Sequence, residues 1–368
     1  MAVTSNLPDS LSPPVHGALD YAELRTLGLS PESIIDFSAN INPYGPSPRV
    51  REAIARVPLE RYPDREAWAL REALADHHHV PAEQIIVGNG TSELIWLVGA
   101  AFARPGDVAL ILGPTFGEYA RAVHLMGGRV LEWRARPDDN FAFHPSEIEA
   151  LLQRTHPRLC FVCRPNNPTG QICPLEALAT WSEHYPDTLF VVDEAYIHFT
   201  PGLESALSLE RENILVLRSM TKDYALAGLR LGYAIGHTRV ITSLRLVQPP
   251  WSVNALAQAA GVAALHDQEH LHETISRTLA EKERFVSELQ DRNLTVVPSH
   301  AHFFLVRVGD ATVFRTAFLS HGILVRDGTS FGLGEYVRLS TRRPEENAVL
   351  VARLSSVLPF VSSLRQEQ

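Results

Sequence analysis

Between residues 85 and 236 the chain keeps returning to one unit: a short, continuously apolar run, a polar loop, and a stretch with helical periodicity. IIVG (85–88) leads into TSELIWLVGAAFA, and DVALILG (107–113) leads into FGEYARAVHLMG. RLCFVC (158–163), LFVVD (189–193), ILVLR (214–218) and LGYAIG (231–236) continue the series. Strands that are apolar at every position are buried on both faces, and the helices between them supply the cover. The pattern therefore specifies an α/β fold with a mostly parallel sheet. From about residue 266 the pattern changes: a long polar helix, HDQEHLHETISRTLAEKERFVSELQDR, precedes short strands at 294–297, 302–307, 323–326 and 336–340 and a last helix near 345–357. That is a smaller α+β lobe. The start, with Pro8, Pro13 and Pro14, reads as an arm or loop.

Composition narrows the function. With 368 residues, 45% hydrophobic and 20% charged, the chain can bury a substantial core, and its length suits two lobes. A net charge of -9 leaves no basic surplus to neutralise phosphates, which argues against a nucleic-acid partner. No apolar run reaches ~18 residues, so no membrane span is expected. MAVTSNLPDSLSPP lacks the basic start and apolar core of a secretory signal, which fits a cytoplasmic enzyme. Cys160 and Cys163 spell C-x-x-C, but on a strand they face opposite sides, and no second pair completes a zinc site. The third cysteine, Cys173, makes an odd count that fits a reducing compartment. His77, His78 and His79 end a helical pattern and read as its C-terminus. No metal site is expected.

In open α/β sheets ligands gather at the carboxyl ends of the strands. The polar signals fall there: GNGTSE after IIV, RPNNPTG after LCFVC, DEAY after LFVV and SMTK after ILVLR. In GNGTSE, Gly90 lets backbone N–H groups approach an anion at a helix start, with Thr91 and Ser92 beside it. The same residues also suit a plain turn in which Thr91 or Ser92 caps the helix. Ser219, Thr221 and Arg230 add two hydroxyls and a fixed cation, a set matched to phosphate. Asp193 closes a very apolar run, where a carboxylate needs a cationic partner. A protonated pyridine nitrogen is such a partner, and Lys222 suits Schiff-base chemistry with a carbonyl cofactor. Phosphate, pyridinium and aldehyde are three handles of pyridoxal 5'-phosphate. Asn167 and Tyr196 fit its ring hydroxyl, and Phe116 either stacks on the ring or packs in the core. Arg326 and Arg338, in strands of the second lobe, either clamp a substrate anion or pair with Asp327 and Glu335.

GNGTSE, NNPTG, DEAY and SMTK-x7-R resemble the fold-type I pyridoxal phosphate enzymes, in the branch that contains the histidinol-phosphate aminotransferases. The resemblance implies a large domain (45–265) on a mostly parallel seven-stranded sheet, a small α+β domain (266–368) and an N-terminal arm (1–44) packed on the small domain and the site. It also implies a homodimer with shared active sites, in which Tyr62 of ERYPD reaches the cofactor phosphate of the other subunit.

The early His16-Gly17, IIDFSANINPYGPS (34–47), ERYPD (60–64) and QPPWSVNALA (248–257) further resemble the threonine-phosphate decarboxylases of cobalamin biosynthesis. That likeness implies decarboxylation of L-threonine O-3-phosphate to (R)-1-amino-2-propanol O-2-phosphate, with His16, Asn40, Arg326 and Arg338 binding the small phosphorylated substrate. One departure stands out: the family often starts His-Gly-Gly, and here Ala18 replaces the second glycine. The alternative reaction is amino transfer from histidinol phosphate to 2-oxoglutarate. A third reading, a non-catalytic sensor module, lacks a basic helix-turn-helix segment to go with it.

Overall fold

The computed structural model describes residues 15–364, so the proline-bearing start read as an arm lies outside the described residues. Thirteen strands are described: β1 (Ile35–Asp36), β2 (Ile85–Asn89), β3 (Val108–Gly113), β4 (Arg129–Arg134), β5 (Leu159–Cys163), β6 (Leu189–Asp193), β7 (Ile214–Ser219), β8 (Leu231–Gly236), β9 (Thr295–Val296), β10 (Phe303–Arg307), β11 (Ile323–Leu324), β12 (Arg326–Asp327) and β13 (Tyr336–Ser340).

The main sheet has seven strands in the order β2-β8-β7-β6-β5-β3-β4. Only β8 runs against its neighbours, so β2 and β7 on either side of it point the same way as the rest. Its central strands β5, β6 and β7 are buried at every residue, as their unbroken apolar runs require. Alternate side chains feed two cores. Phe161, Cys163, Val191 and Leu217 pack under the helices Gly90–Phe102 and Glu118–Leu125. Cys160, Val162, Phe190 and Val216 pack on the opposite face with the helices Pro145–Thr155 and Leu175–His184. Cys160 and Cys163 thus lie on opposite sides of the sheet, and all three cysteines are free and buried. Each large side chain fully buried here contributes about 1.5–3 kcal/mol of transfer free energy. Edge strand β4, RVLEWR, mixes exposed and covered positions and has no continuous apolar run to announce it.

A second, antiparallel sheet has the order β12-β13-β10-β9. Phe285 of the long helix Gln268–Gln290 and Phe314 and Phe318 of Ala311–Leu319 pack with Phe304, Val337 and Leu350. Phe37 joins that core, because β1 runs parallel to β11 and ties the N-terminal segment to this lobe. The strand expected at 323–326 divides: β11 pairs with β1, whereas β12 pairs with β13. Among the described residues no helix is long and apolar enough to cross a membrane.

Candidate active site

The loops leaving the carboxyl ends of β2, β5, β6 and β7 open into one cavity of about 350 Å3, within the size range of small-molecule sites. Thr91, Ser92, Phe116, Asn167, Asp193, Tyr196, Thr221, Lys222 and Arg230 line it from the main sheet's side. Arg326 and Arg338 enter from the second lobe, and His16 and Asn40 from the N-terminal segment.

One end suits an anion. The helix Gly90–Phe102 has Asn89 as its N-cap with no side-chain cap bond, so neither Thr91 nor Ser92 serves as the cap. Its first N–H groups are left for another acceptor. Gly90 has φ +74, and a Cβ there would sit 2.7 Å from Arg230 Nη2, so only glycine lets the guanidinium close on the helix start. Gly232 has a matching role, since its Cβ would meet Thr91 N at 2.7 Å. Arg230 itself donates to the Ala227 carbonyl at 3.2 Å. Ser219 is buried and is not part of the cavity lining; its Oγ lies 2.7 Å from Oγ1 of Thr221, which is.

At the carboxyl end of the central strand β6, Asp193 is buried with neutral partners. Tyr119 Oη donates to its Oδ2 at 2.7 Å, and Ala195 N–H donates to Oδ1 at 3.0 Å. Burial pushes the carboxyl above the usual range, opposed by those two bonds and by the nearby Lys222 charge. Burial brings the Lys222 ammonium down to about 8, and Arg338 and Arg230 reinforce the fall. Asn40 Nδ2 donates to Tyr196 Oη at 3.4 Å, while burial keeps that phenol well above its ordinary value.

At the other end Arg326 and Arg338 stand directly opposite each other across β12 and β13. Like charges in that position destabilise a sheet. Burial lowers both to about 10, and the Arg338 charge adds to the fall at Arg326. Neither takes the acid that an ordinary pairing would offer: Glu335 pairs with Arg307 at 3.2 Å, and Asp327 accepts from Thr312 Oγ1 at 2.7 Å and Thr329 N at 2.7 Å. Instead Arg326 donates to the Val15 carbonyl and to Ser330 Oγ, both at 2.6 Å. Arg338 donates to Asn167 Oδ1 and to the Ser38 carbonyl. Arg338 Nε and Asn40 Oδ1 are buried without a partner among the described residues. Two desolvated cations with neutral partners are chemically suited to an anion.

The N-terminal segment crosses the mouth. His16 Nε2 bonds Glu118 Oε1 at 2.9 Å, and Trp96 Nε1 donates to Glu118 Oε2 at 2.8 Å. A Cβ on Gly17 would lie 2.1 Å from the Ser38 carbonyl. Ala18 holds φ +113, a region that favours glycine, so the departure from His-Gly-Gly carries backbone strain. Phe116 lines the cavity and also packs partly into the core beside it. Tyr62 stands apart: it is 82% exposed and stacks on Trp251 at 4.9 Å, outside its own chain's cavity. Sequence reasoning missed Tyr119, Glu118 and Ser38. PTFGEY held the signal for Tyr119, three residues beyond Phe116 and so on one face of a helix start.

Residues 32–354 match the family model described as Aminotransferase class I and II. The chain belongs to that family. Curated relatives of this aminotransferase include the histidinol-phosphate aminotransferase of Moorella thermoacetica, 35% identical over 95% of this chain and 91% of the relative. That of Symbiobacterium thermophilum is 38% identical over 91% of this chain and 92% of the relative. Among solved structures, histidinol-phosphate aminotransferase from Sinorhizobium meliloti in complex with pyridoxal-5'-phosphate superposes with a TM-score of 0.86 at 26% identity, covering 99% of each chain. Aspartate aminotransferase from Thermus thermophilus with maleate gives 0.81 at 27% identity, over 92% of this chain and 94% of the other.

These relatives correct the expected reaction. Matches at 31–38% identity over most of the chain carry the name histidinol-phosphate aminotransferase, which overturns threonine-phosphate decarboxylation and its place in cobalamin biosynthesis. Two of the stretches that suggested the decarboxylase also make contacts that serve the fold. Tyr62 of ERYPD stacks on Trp251 of QPPWSVNALA, and Gly17 is required by the Ser38 carbonyl.

Proposed function

We propose that this aminotransferase uses pyridoxal 5'-phosphate to move an amino group from a phosphorylated amine of the histidinol phosphate type to 2-oxoglutarate. The observation that carries the cofactor is the buried Asp193, held by neutral donors in the same cavity as an amine pushed down to about 8. The residues fit the group: a carboxylate lacking a cation suits a pyridinium nitrogen, and the uncapped helix start with Arg230 suits its phosphate. The support for amino transfer is the shared name of the curated relatives.

When bound, the cofactor supplies an electron sink that weakens a bond to the substrate's Cα. Lys222 would hold it through Nζ, and Asp193 would keep its ring nitrogen protonated. Asn167 and Tyr196 would bind its ring hydroxyl, with Phe116 against the ring. Gly90, Thr91, Ser92, Ser219, Thr221 and Arg230 would hold its phosphate. An amine with a pKa of about 8 is partly unprotonated near neutral pH, so Lys222 is also suited to take the proton from the substrate's Cα. The guanidinium forks of Arg326 and Arg338 can donate to phosphate or carboxylate alike, as a site that serves amine donor and keto-acid acceptor in turn requires. Asn40 and His16 close the mouth over them.

The working form in this reading is a homodimer of chains divided into an arm (1–44), a large domain (45–265) and a small domain (266–368). Tyr62 would reach the cofactor phosphate of the second copy. Its 82% exposure outside its own cavity supports that role. The test is incubation of the cofactor-loaded enzyme with L-histidinol phosphate and 2-oxoglutarate. Glutamate should form in step with loss of the amine. No glutamate, or release of CO2 from L-threonine O-3-phosphate under the same conditions, would overturn the reading.

A further inference from the structure

We infer that Tyr119 is a positioning residue for the reaction: its hydroxyl fixes the rotation of the Asp193 carboxylate towards the cofactor's ring nitrogen. The inference rests on the cofactor reading above.

Tyr119 is fully buried in the first turn of the helix Glu118–Leu125. Its ring lies flat on Phe161 of β5, with centroids 5.0 Å apart and planes within 12°. Phe116, three residues earlier, meets it edge-on at 5.7 Å and 78°. The phenol is therefore held on both sides before it reaches Asp193 Oδ2 at 2.7 Å. Packing alone does not call for the hydroxyl, because phenylalanine would fill the same space without a polar group to desolvate.

The carboxylate makes the difference. Asp193 Oδ1 is anchored by the Ala195 N–H of its own loop, so Tyr119 supplies the side-chain donor that sets the plane of the group. Cys163 is the register partner of Asp193 on β5, and burial pushes its thiol far above its ordinary value, leaving it a weak neutral donor. Donation from Tyr119 also opposes the effect of burial on Asp193, favouring the charged form that a ring-nitrogen proton needs. One turn of chain thereby links the residue against the ring, Phe116, to the acid at its edge.

The experiment compares wild type, Tyr119→Phe and Phe161→Leu as loaded enzymes. It reads pyridoxal phosphate affinity by titration of the apoprotein, the pH midpoint of the bound cofactor's visible band, and kcat against KM. For Tyr119→Phe, cofactor affinity and kcat should fall by about tenfold to a hundredfold, the scale of a lost hydrogen bond to a charged group. KM for the amine should stay within about threefold, and the pH midpoint should move by at least about half a unit. Phe161→Leu, which disturbs the packing and keeps the hydroxyl, should lower Tm and leave the midpoint in place. If Tyr119→Phe changes only Tm, the hydroxyl is structural and the inference fails. Should that variant not fold, 3-fluorotyrosine at position 119 keeps the shape and makes a stronger donor; an unmoved midpoint there overturns the inference equally. A wild type that binds no pyridoxal phosphate would instead sink the cofactor reading.

Discussion

Asp193 and Glu194 are consecutive, both acidic and both almost wholly buried, yet their surroundings differ completely. Glu194 accepts from Arg218 Nε at 3.0 Å, from Ser205 Oγ at 2.7 Å and from Ala206 N at 2.8 Å, with Arg164 a further 3.7 Å away. Asp193 has a phenol and a backbone amide. Across the cavity the imbalance is mirrored by Arg326 and Arg338, which have neutral partners where Arg218 has an acid. Burying a charge costs several kcal/mol unless an opposite charge offsets it. The chain meets that requirement inside the scaffold and leaves it open inside the cavity. The open side is where a ligand's charges belong.

Four variants would break or sharpen the contrast. Glu194→Gln strands two buried guanidinium groups, so unfolding by urea should show a loss of about 3–5 kcal/mol. Arg338→Gln should act oppositely. Removing a cation that faces Arg326 should leave urea stability unchanged or higher, while kcat/KM for the phosphorylated amine falls by about 10- to 100-fold. Equal destabilisation by both variants would erase the distinction between scaffold and site.

Lys222→Met tests the contrast through pH. The folded ammonium titrates at about 8 and the ordinary value is 10.5, so between those values the unfolded chain binds more protons than the folded one. Stability of the apoprotein should therefore rise across that window, relative to Lys222→Met at each pH. A flat difference between the two proteins from pH 8 to 10.5 would mean the amine is not desolvated. The smallest effect is expected at the mouth. Glu118→Gln should cost about 1 kcal/mol or less and speed hydrogen exchange in the backbone of residues 15–18, where His16 is tied down.

Much of this was legible in the chain itself. Continuous apolar runs announced β2, β3, β5, β6, β7 and β8, and the polar loops after four of them carried nearly all of the cavity's main-sheet lining. What escaped notice depends on register or on distant contacts. Strand β4 has a polar face and no unbroken apolar run. The division of 323–326 follows from β1 pairing with β11, some 290 residues apart in sequence. The pairing of Arg326 against Arg338 is a register fact, and no spacing along the chain reveals it. Tyr119 stands inside a helical pattern with nothing local to mark its hydroxyl, whose partner lies 74 positions away. The reaction was misread for a related cause: motifs that tie the N-terminal segment and the 248–257 loop into the fold say little about which bond breaks.

The most direct test of the uncompensated cavity is chemical. Purified protein soaked in excess pyridoxal phosphate, reduced with borohydride and digested should yield one adduct, mapped by mass spectrometry to the peptide carrying Lys222, with none there in Lys222→Ala. An adduct spread over surface lysines, or none at Lys222, would contradict the account.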